Sequence, residues 1–187
     1  NIKQMRILLP YEIKKNASNK FLDYFYDSLK EEGLDIISST LEWKKKSRDF
    51  DAVIIHWPEH LPNCSFKYEY DFINYSLERI NHFRKHSKIF YVVHNVKPHF
   101  NFSNNLLKIF NAVIKNSSAI FHFSTFSRNL FIHNGANKKH NYVVPHGNYE
   151  QLFKKEIKNM KLTKNLNIDN KTTVSVIGAV RNKREFK

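Results

Sequence analysis

The chain has 187 residues, 41% of them hydrophobic, and its 16 Phe and 9 Tyr are enough to build a sizeable core. Its 31 Lys and Arg against 17 Asp and Glu give a formal charge of +14. This charge favours an anionic partner such as nucleic acid, anionic lipid or a phosphorylated small molecule. A lysine-rich surface without such a partner fits the charge equally well. With only four glycines and neither G-x-G-x-x-G nor G-x-x-x-x-G-K-[ST], the sequence argues against a glycine-rich phosphate loop.

The single cysteine, Cys64, excludes an internal disulfide and a thiolate metal cluster, which fits a reducing compartment. The apolar run near the start is too short for a secretory signal. No stretch approaches the roughly 18–20 apolar residues of a spanning helix. We therefore expect a cytoplasmic protein, either free or peripheral at the inner face of the membrane.

The first third of the chain alternates short apolar runs with an amphipathic helix. Residues 5–9 predict a strand, and a helix capped by Asn16 or Ser18 is predicted to run to about Glu32 and to end at Gly33. Residues 34–38 predict a second strand. The basic segment 41–50 predicts a loop or a poor short helix with solvated charges.

The same alternation continues from residue 51. Apolar runs predict strands at 51–57, 89–93, 119–123 and 142–144, and the segments between them predict helices at 68–86, at 101–115 and after Ser124 or Thr125. The run at 89–93, rich in β-branched and aromatic residues, is typical of a strand buried on both faces. This order predicts an α/β fold with a doubly wound parallel sheet.

The end of the chain indicates a second domain. A helix begins near Glu150, and the polar residues 162–171 predict a linker. Residues 172–180 predict a new buried strand that no helix follows. We therefore predict an N-terminal domain of residues 1–161, a linker of 162–171, and at 172–187 the start of a second domain in a longer protein.

Polar side chains follow most of the predicted strands. In a doubly wound sheet these positions share one edge, where such folds bind their ligands. The sequence therefore predicts one crevice lined from several loops. Its candidate residues are Tyr11 and Glu12; His56 and Glu59; His94, Asn95 and His99; Ser124 and Thr125; and His146 and Tyr149.

Two more specific motifs fit poorly. Residues 56–60 match the letters H-x-x-E-H of a metalloprotease, but those ligands need consecutive turns of a helix, and here a β-rich run precedes a proline. Ser124 lacks the G-x-S-x-G elbow of a serine hydrolase. We therefore expect no metal site and no required cofactor.

Four motifs in order carry a resemblance: H-W-P-E at 56–59, V-H-N-x-x-P-H at 93–99, F-S at 123–124 and V-P-H-G-x-Y at 144–149. Together they resemble bacterial GT-B glycosyltransferases of the family-four type. The segment I-G-A-V-R at 177–181 extends the resemblance into what looks like the first strand of a donor-binding domain. The resemblance implies two Rossmann-like domains facing a cleft, with this chain mainly the acceptor-side half.

The resemblance also implies roles for particular residues. His94 looks like the histidine that reaches the transferred sugar. His146 and Gly147 look like the turn that approaches the donor, and Arg181 is similar to the basic residue near the donor phosphates, with Lys183 or Arg184 as its companion. His56, Asn95, His99, Ser124 and Tyr149 complete the expected substrate-binding set.

The chemistry explains why such residues are needed. Cationic groups stabilise a departing nucleoside diphosphate without a metal. An inverting enzyme also needs a base for the acceptor hydroxyl, for which Glu59 is the first candidate and Glu12 the second, whereas a retaining enzyme needs neither.

The implied activity is transfer of a sugar from a nucleotide-sugar to a glycan or lipid-linked acceptor in cell-surface polysaccharide synthesis. A basic domain of this kind would suit an anionic membrane surface, and basic and aromatic residues mix at 82–88 and 97–102. Two alternatives stay open: a nucleotide- or sugar-binding domain without catalysis, and a nucleic-acid-binding module. A sheet buried on both faces disfavours the second alternative.

Overall fold

The computed structural model of the protein describes residues 4–13, 21–61, 69–96 and 106–147. Its strands are β1 (Arg6–Leu9), β2 (Asp35–Ser38), β3 (Ala52–Ile55), β4 (Lys88–Val93), β5 (Ala119–His122) and β6 (Asn141–Val143). Its helices are α1 (Phe21–Glu31), α2 (Thr40–Lys45), α3 (Glu69–His86), α4 (Leu106–Asn116) and α5 (Thr125–His133), with 3₁₀ turns at Pro58–His60 and Lys138–His140. These elements belong to the compact unit Asn1–His146, and the next unit, Gly147–Lys187, lies outside the described residues after Gly147.

The six strands form one sheet in the order β2-β1-β3-β4-β5-β6, and every neighbouring pair is parallel. The chain moves one way from β1 to β2 and the opposite way from β2 through β6. Because such crossovers are right-handed, α1 packs on one face of the sheet and α2 to α5 pack on the other. The predicted α/β fold with a doubly wound, Rossmann-like parallel sheet is confirmed.

The predicted elements match the observed ones apart from their ends. The helix predicted at 68–86 is α3, and the strand predicted at 51–57 is the shorter β3. Gly33 ends α1 with a φ of 80°, a left-handed conformation that suits glycine. The helix predicted near Glu150, the linker and the strand at 172–180 lie outside the described residues, so the predicted domain boundaries stay a prediction.

The segment 41–50, predicted as a loop or a poor short helix, contains the six-residue helix α2. The Oγ of Ser39 accepts a hydrogen bond from the backbone N–H of Glu42 at 3.2 Å, which caps the start of the helix, and Lys46 ends it at a φ of 54°. Trp43 is fully buried and stacks on Phe83, with ring centroids 5.0 Å apart. A single apolar residue in a basic run has no periodicity, so the sequence did not indicate this core position.

Three strands carry a row of aromatic rings on the face of the sheet that α1 occupies. Phe90 of β4 lies 6.1 Å from Phe121 of β5, and Phe121 lies 5.8 Å from Tyr142 of β6. Phe90 and Phe121 are half-buried, whereas Tyr142 is exposed. Cross-strand aromatic pairs of this kind stabilise the β4-β5-β6 half of the sheet.

Trp43→Ala tests the contribution of α2 to stability. Removing a buried indole is expected to lower the free energy of unfolding by about 3 kcal/mol, near the low end for such truncations because the indole N–H has no hydrogen-bond partner among the described residues. Urea unfolding measures the change. Leu41→Ala, on the exposed side of the same helix, is the matched control and should cost less than about 1 kcal/mol. Equal losses would contradict the packing of Trp43.

Candidate functional site

The candidate site lies at the carboxyl ends of β1 and β3, where the direction of the chain through the sheet reverses. The hydroxyl of Tyr11, just after β1, accepts hydrogen bonds from the backbone N–H of His56 at 3.1 Å and of Trp57 at 3.0 Å. It donates to the carbonyl of Trp57 at 3.2 Å. Burial raises the pKa of Tyr11, which keeps this proton in place. Tyr11 thereby fixes the backbone from which the side chains of His56 and Trp57 project.

Two histidines from neighbouring strands meet at this edge. Nδ1 of His56, which follows β3, lies 3.0 Å from Nε2 of His94, which follows β4. His56 is buried, with a relative exposure of 1%, and His94 is half-buried. Burial, reinforced by the neighbouring His94, lowers the pKa of His56 well below its usual range. Burial and the charge of His146 lower the pKa of His94 to about 4, so both rings are neutral at pH 7.

Aromatic rings surround the imidazole of His94. Trp57 stacks on it with centroids 4.4 Å apart, and Phe21 contacts it edge-on at 4.7 Å. Phe123, just after β5, lies 5.2 Å from it and 4.8 Å from His146. Phe21, Trp57 and Phe123 are half-buried, and His146 is exposed. The result is an apolar, ring-lined surface with neutral hydrogen-bonding groups, a composition typical of small-molecule sites.

Glu59 lies on the 3₁₀ turn after β3, and this turn contacts α4. Burial is the main cause of the raised pKa of Tyr11 and of Tyr91, and the negative charge of Glu59 adds to both, which places the carboxylate near those two buried hydroxyls. Both carboxylate oxygens are buried and have no hydrogen-bond partner among the described residues. None of the described contacts of His94 is with Glu59. The predicted catalytic role of Glu59 beside His94 therefore stays a prediction.

Glu12, the second carboxylate considered, has a structural partner. It accepts hydrogen bonds from the backbone N–H of Thr40 at 3.0 Å and from its hydroxyl at 2.9 Å. These bonds lower the pKa of Glu12. The carboxylate therefore joins the loop after β1 to the start of α2.

The other predicted site residues divide into three groups. Ser124 caps α5, because its Oγ accepts a hydrogen bond from the backbone N–H of Ser127 at 3.3 Å. Asn95 is half-buried beside His94, and Gly147 is exposed at the end of the described residues. His99, Tyr149 and Arg181 lie outside the described residues, as do Lys183 and Arg184.

One buried histidine was not singled out in the sequence. His122, at the end of β5, is fully buried, and its ring nitrogens lie 2.7 Å from Oδ1 of Asn141 and 3.1 Å from Oγ of Ser127. Both nitrogens are therefore occupied by the protein. His122 joins β5 to α5 and β6, and no signal in the sequence separates such a structural histidine from His56 or His94.

The histidines of the H-x-x-E-H sequence at 56–60 are not arranged as they are in a metalloprotease. His56 follows β3 and His60 lies on the 3₁₀ turn, so the letters H-x-x-E-H do not fall on successive turns of one helix. Within the described ranges, no group of three His, Cys, Asp or Glu side chains could hold a metal ion. In the same ranges, no helix is long and apolar enough to cross a membrane.

A cavity of about 660 Å³ lies elsewhere, between α4 and α5. Phe110, Ile114 and Phe131 contribute to its apolar wall, and Asn137 to its polar rim. Neither His94 nor Glu59 lines it.

Comparisons with protein-family models, curated proteins and solved structures found no match to this chain.

The lowered pKa of His94 makes a prediction about acid stability. The unfolded chain binds a proton at the usual histidine pKa of about 6.5, whereas folded His94 binds one only near pH 4. The contribution of neutral His94 to the free energy of unfolding is therefore fully present above about pH 6.5 and is lost as the pH falls towards 4. For this half-buried ring the loss is about 1–3 kcal/mol. Urea unfolding of the wild type and of His94→Phe at several pH values should show a shallower decline in the variant. His133→Phe, which alters an exposed histidine, is the control, and a variant curve parallel to that of the wild type would contradict the assignment.

The two glutamates should respond in opposite directions to the same substitution. Glu59→Gln removes a buried carboxylate without a partner and should raise the free energy of unfolding at pH 7 by about 1 kcal/mol. Glu12→Gln weakens the bonds to Thr40 and should lower it by about 0.5–1 kcal/mol. Thermal or urea unfolding checks both variants. Destabilisation by Glu59→Gln would show that its carboxylate has a partner that stabilises it.

Proposed function

We propose that this chain is mainly the acceptor-side domain of a GT-B glycosyltransferase of the family-four type. The enzyme would move a hexose from a nucleotide-sugar to a glycan or lipid-linked acceptor in cell-surface polysaccharide synthesis. The observation that carries the proposal is the neutral His94 held between Trp57 and Phe21 at the carboxyl edge of the sheet. The order along the chain of the motifs at 56–59, 93–99, 123–124 and 144–149, which contribute residues to this site, supports the proposal.

The surface around His94 suits an uncharged, hydroxylated ligand. The faces of Trp57 and Phe123 offer apolar area to the carbon face of a sugar ring, while a neutral imidazole can exchange a hydrogen bond with a hydroxyl. Nδ1 of His94 has no hydrogen-bond partner among the described residues, and the residue is half-buried rather than enclosed. A phosphate would find no cationic donor in His56 or His94 at neutral pH, because both rings are uncharged there.

The negative charge of the donor therefore needs other residues. A nucleoside diphosphate leaving group develops charge that fixed cations stabilise. In this proposal Arg181, with Lys183 or Arg184, supplies that charge, while His146 and Gly147 approach the donor from the side of His94. His99, Asn95 and Tyr149 would add polar contacts around the sugar.

The acceptor hydroxyl needs a base only in an inverting reaction. Glu12 is engaged by Thr40, so Glu59 stays the preferred candidate. Its two unpartnered oxygens could accept a proton once a substrate brings a hydroxyl or a water within hydrogen-bond distance. A retaining enzyme would use Glu59 for structure or positioning alone.

The basic segment 82–88 lies at the far edge of the sheet from the site. Helix α3 carries the chain over 18 residues, about 27 Å, from the carboxyl ends of the strands to the amino end of β4. A membrane contact through this segment would hold His94 away from the lipid surface. The proposed lipid-linked acceptor would thus have to enter at the opposite edge, and the proposal does not depend on segment 82–88.

Ligand titration of the chain tests the proposal. Nucleotide-sugars and free hexoses are titrated into isotopically labelled protein, and we expect one class to shift the resonances of His94, Trp57 and Phe21. His94→Ala should weaken that binding by about tenfold to a hundredfold, because it removes a hydrogen bond and a stacked ring. His133→Ala is the matched control. Binding that leaves the His94 resonances unchanged would overturn the proposed site.

Transfer assays separate the proposal from its alternatives. The 187-residue chain alone should bind sugar without transferring it, because most donor contacts are expected in a second domain. In a protein that joins this chain to that domain, His94→Ala should lower turnover by about 10²–10⁴-fold. Sugar binding without transfer in the joined protein would favour a non-catalytic binding domain. Tight, strongly salt-dependent binding of oligonucleotides would favour a nucleic-acid-binding module.

A further inference from the structure

His56 occupies a position where an apolar residue would be the simpler choice. Its ring lies among Phe25, Phe21 and Tyr11, with centroids 4.9, 5.7 and 6.1 Å away. Its Nε2 atom is buried and has no hydrogen-bond partner among the described residues. Burying an unpaired polar atom destabilises the fold. The contact from Nδ1 of His56 to Nε2 of His94 is the single side-chain hydrogen bond that the described residues offer this ring.

One proton lies in the contact between the two rings, and either His56 or His94 can be its donor. A neutral imidazole has one N–H donor and one bare nitrogen acceptor. If His94 donates, His56 must bury an N–H at Nε2 without an acceptor. If His56 donates from Nδ1, the buried Nε2 is bare, and Nε2 of His94 accepts. Unpaired buried N–H groups are rarer than unpaired acceptors, so the second arrangement is favoured.

The second arrangement determines what His94 offers to a ligand. With Nε2 occupied as an acceptor, the proton of neutral His94 lies on Nδ1. Nδ1 is the nitrogen without a protein partner in the described part of the chain. The stacked ring of Trp57 limits rotation of the imidazole, so the direction of this N–H is also restricted.

We propose that His56 is a positioning residue that donates from its Nδ1 to Nε2 of His94 and thereby presents the Nδ1–H of His94 as a hydrogen-bond donor to an oxygen of the bound ligand. The role in ligand binding rests on the proposed function, whereas the arrangement of the two protons does not. The ligand oxygen is an acceptor, such as a hydroxyl or ring oxygen of a sugar.

Nitrogen-15 NMR of the ligand-free protein tests the arrangement at pH 7.5. Both histidines should show a protonated, pyrrole-type Nδ1 and a bare, pyridine-type Nε2. A protonated Nε2 on His94 would overturn the proposal, whatever the ligand proves to be. His133 serves as an internal reference because its ring is exposed.

Two substitutions at His56 separate positioning from packing. Asn can place an amide N–H near the position of Nδ1, so in His56→Asn the proton of His94 should stay on Nδ1. Phe fills the apolar space without donating, so in His56→Phe the Nδ1 form of His94 should give way to a mixture with the Nε2 form. Circular dichroism verifies that both variants fold. An unchanged His94 in His56→Phe would overturn the proposal, and so would a shift to the Nε2 form in a folded His56→Asn.

Titration with the hexose or nucleotide-sugar that binds the wild type tests the consequence for ligand binding. We expect about tenfold weaker binding by His56→Phe and less than threefold by His56→Asn, since one neutral hydrogen bond is at stake. Equal affinities of wild type and His56→Phe would overturn the ligand-binding part. If the predicted protonation is found but no sugar binds, the proposed function fails and the positioning of His94 by His56 stands.

Discussion

The hydroxyl of Tyr11 is the constraint on which the candidate site depends. It makes three hydrogen bonds, two as acceptor and one as donor, which is the full capacity of a hydroxyl group. All three go to the backbone just after β3. The carbonyl of the same residue accepts a hydrogen bond from Oγ of Ser38 at the end of β2. One residue thus joins the ends of three strands at the point where the chain reverses its direction through the sheet.

This connection explains how a crevice between diverging loops can hold side chains in fixed directions. The loops after β1 and β3 lead to helices on opposite faces, so the sheet alone would leave their first residues apart. Tyr11 holds the backbone of His56 and Trp57 in place, and from there His56 contacts Nε2 of His94 while Trp57 stacks on the ring of His94. The imidazole–imidazole contact and the stacked indole are therefore consequences of a backbone anchor rather than of packing alone.

The fold was predictable from the sequence to a greater extent than the site. Alternating apolar runs and amphipathic segments indicated the parallel sheet, because the central strands β1, β3 and β4 are mostly buried and each connection is long enough for a helix. The burial of Trp43 was not predicted, because one apolar residue among lysines shows no helical or strand periodicity. Placing His56 and His94 at one edge followed from the parallel direction of the predicted strands, but the 3.0 Å contact between particular ring nitrogens did not. That contact depends on side-chain rotamers set by Tyr11, Phe25 and Trp57, which no local pattern encodes.

The two tryptophans of the chain lie in different environments. Trp43 is enclosed in the core against Phe83, whereas Trp57 is half-buried and stacks on His94. Protonation of His94 would bring a cation against the face of Trp57, and a sugar on this surface would displace water from the same indole. The fluorescence of Trp57 therefore reports on the site, while that of Trp43 reports on the fold. The chain thus carries two intrinsic fluorophores with different surroundings, one at the candidate site and one in the core.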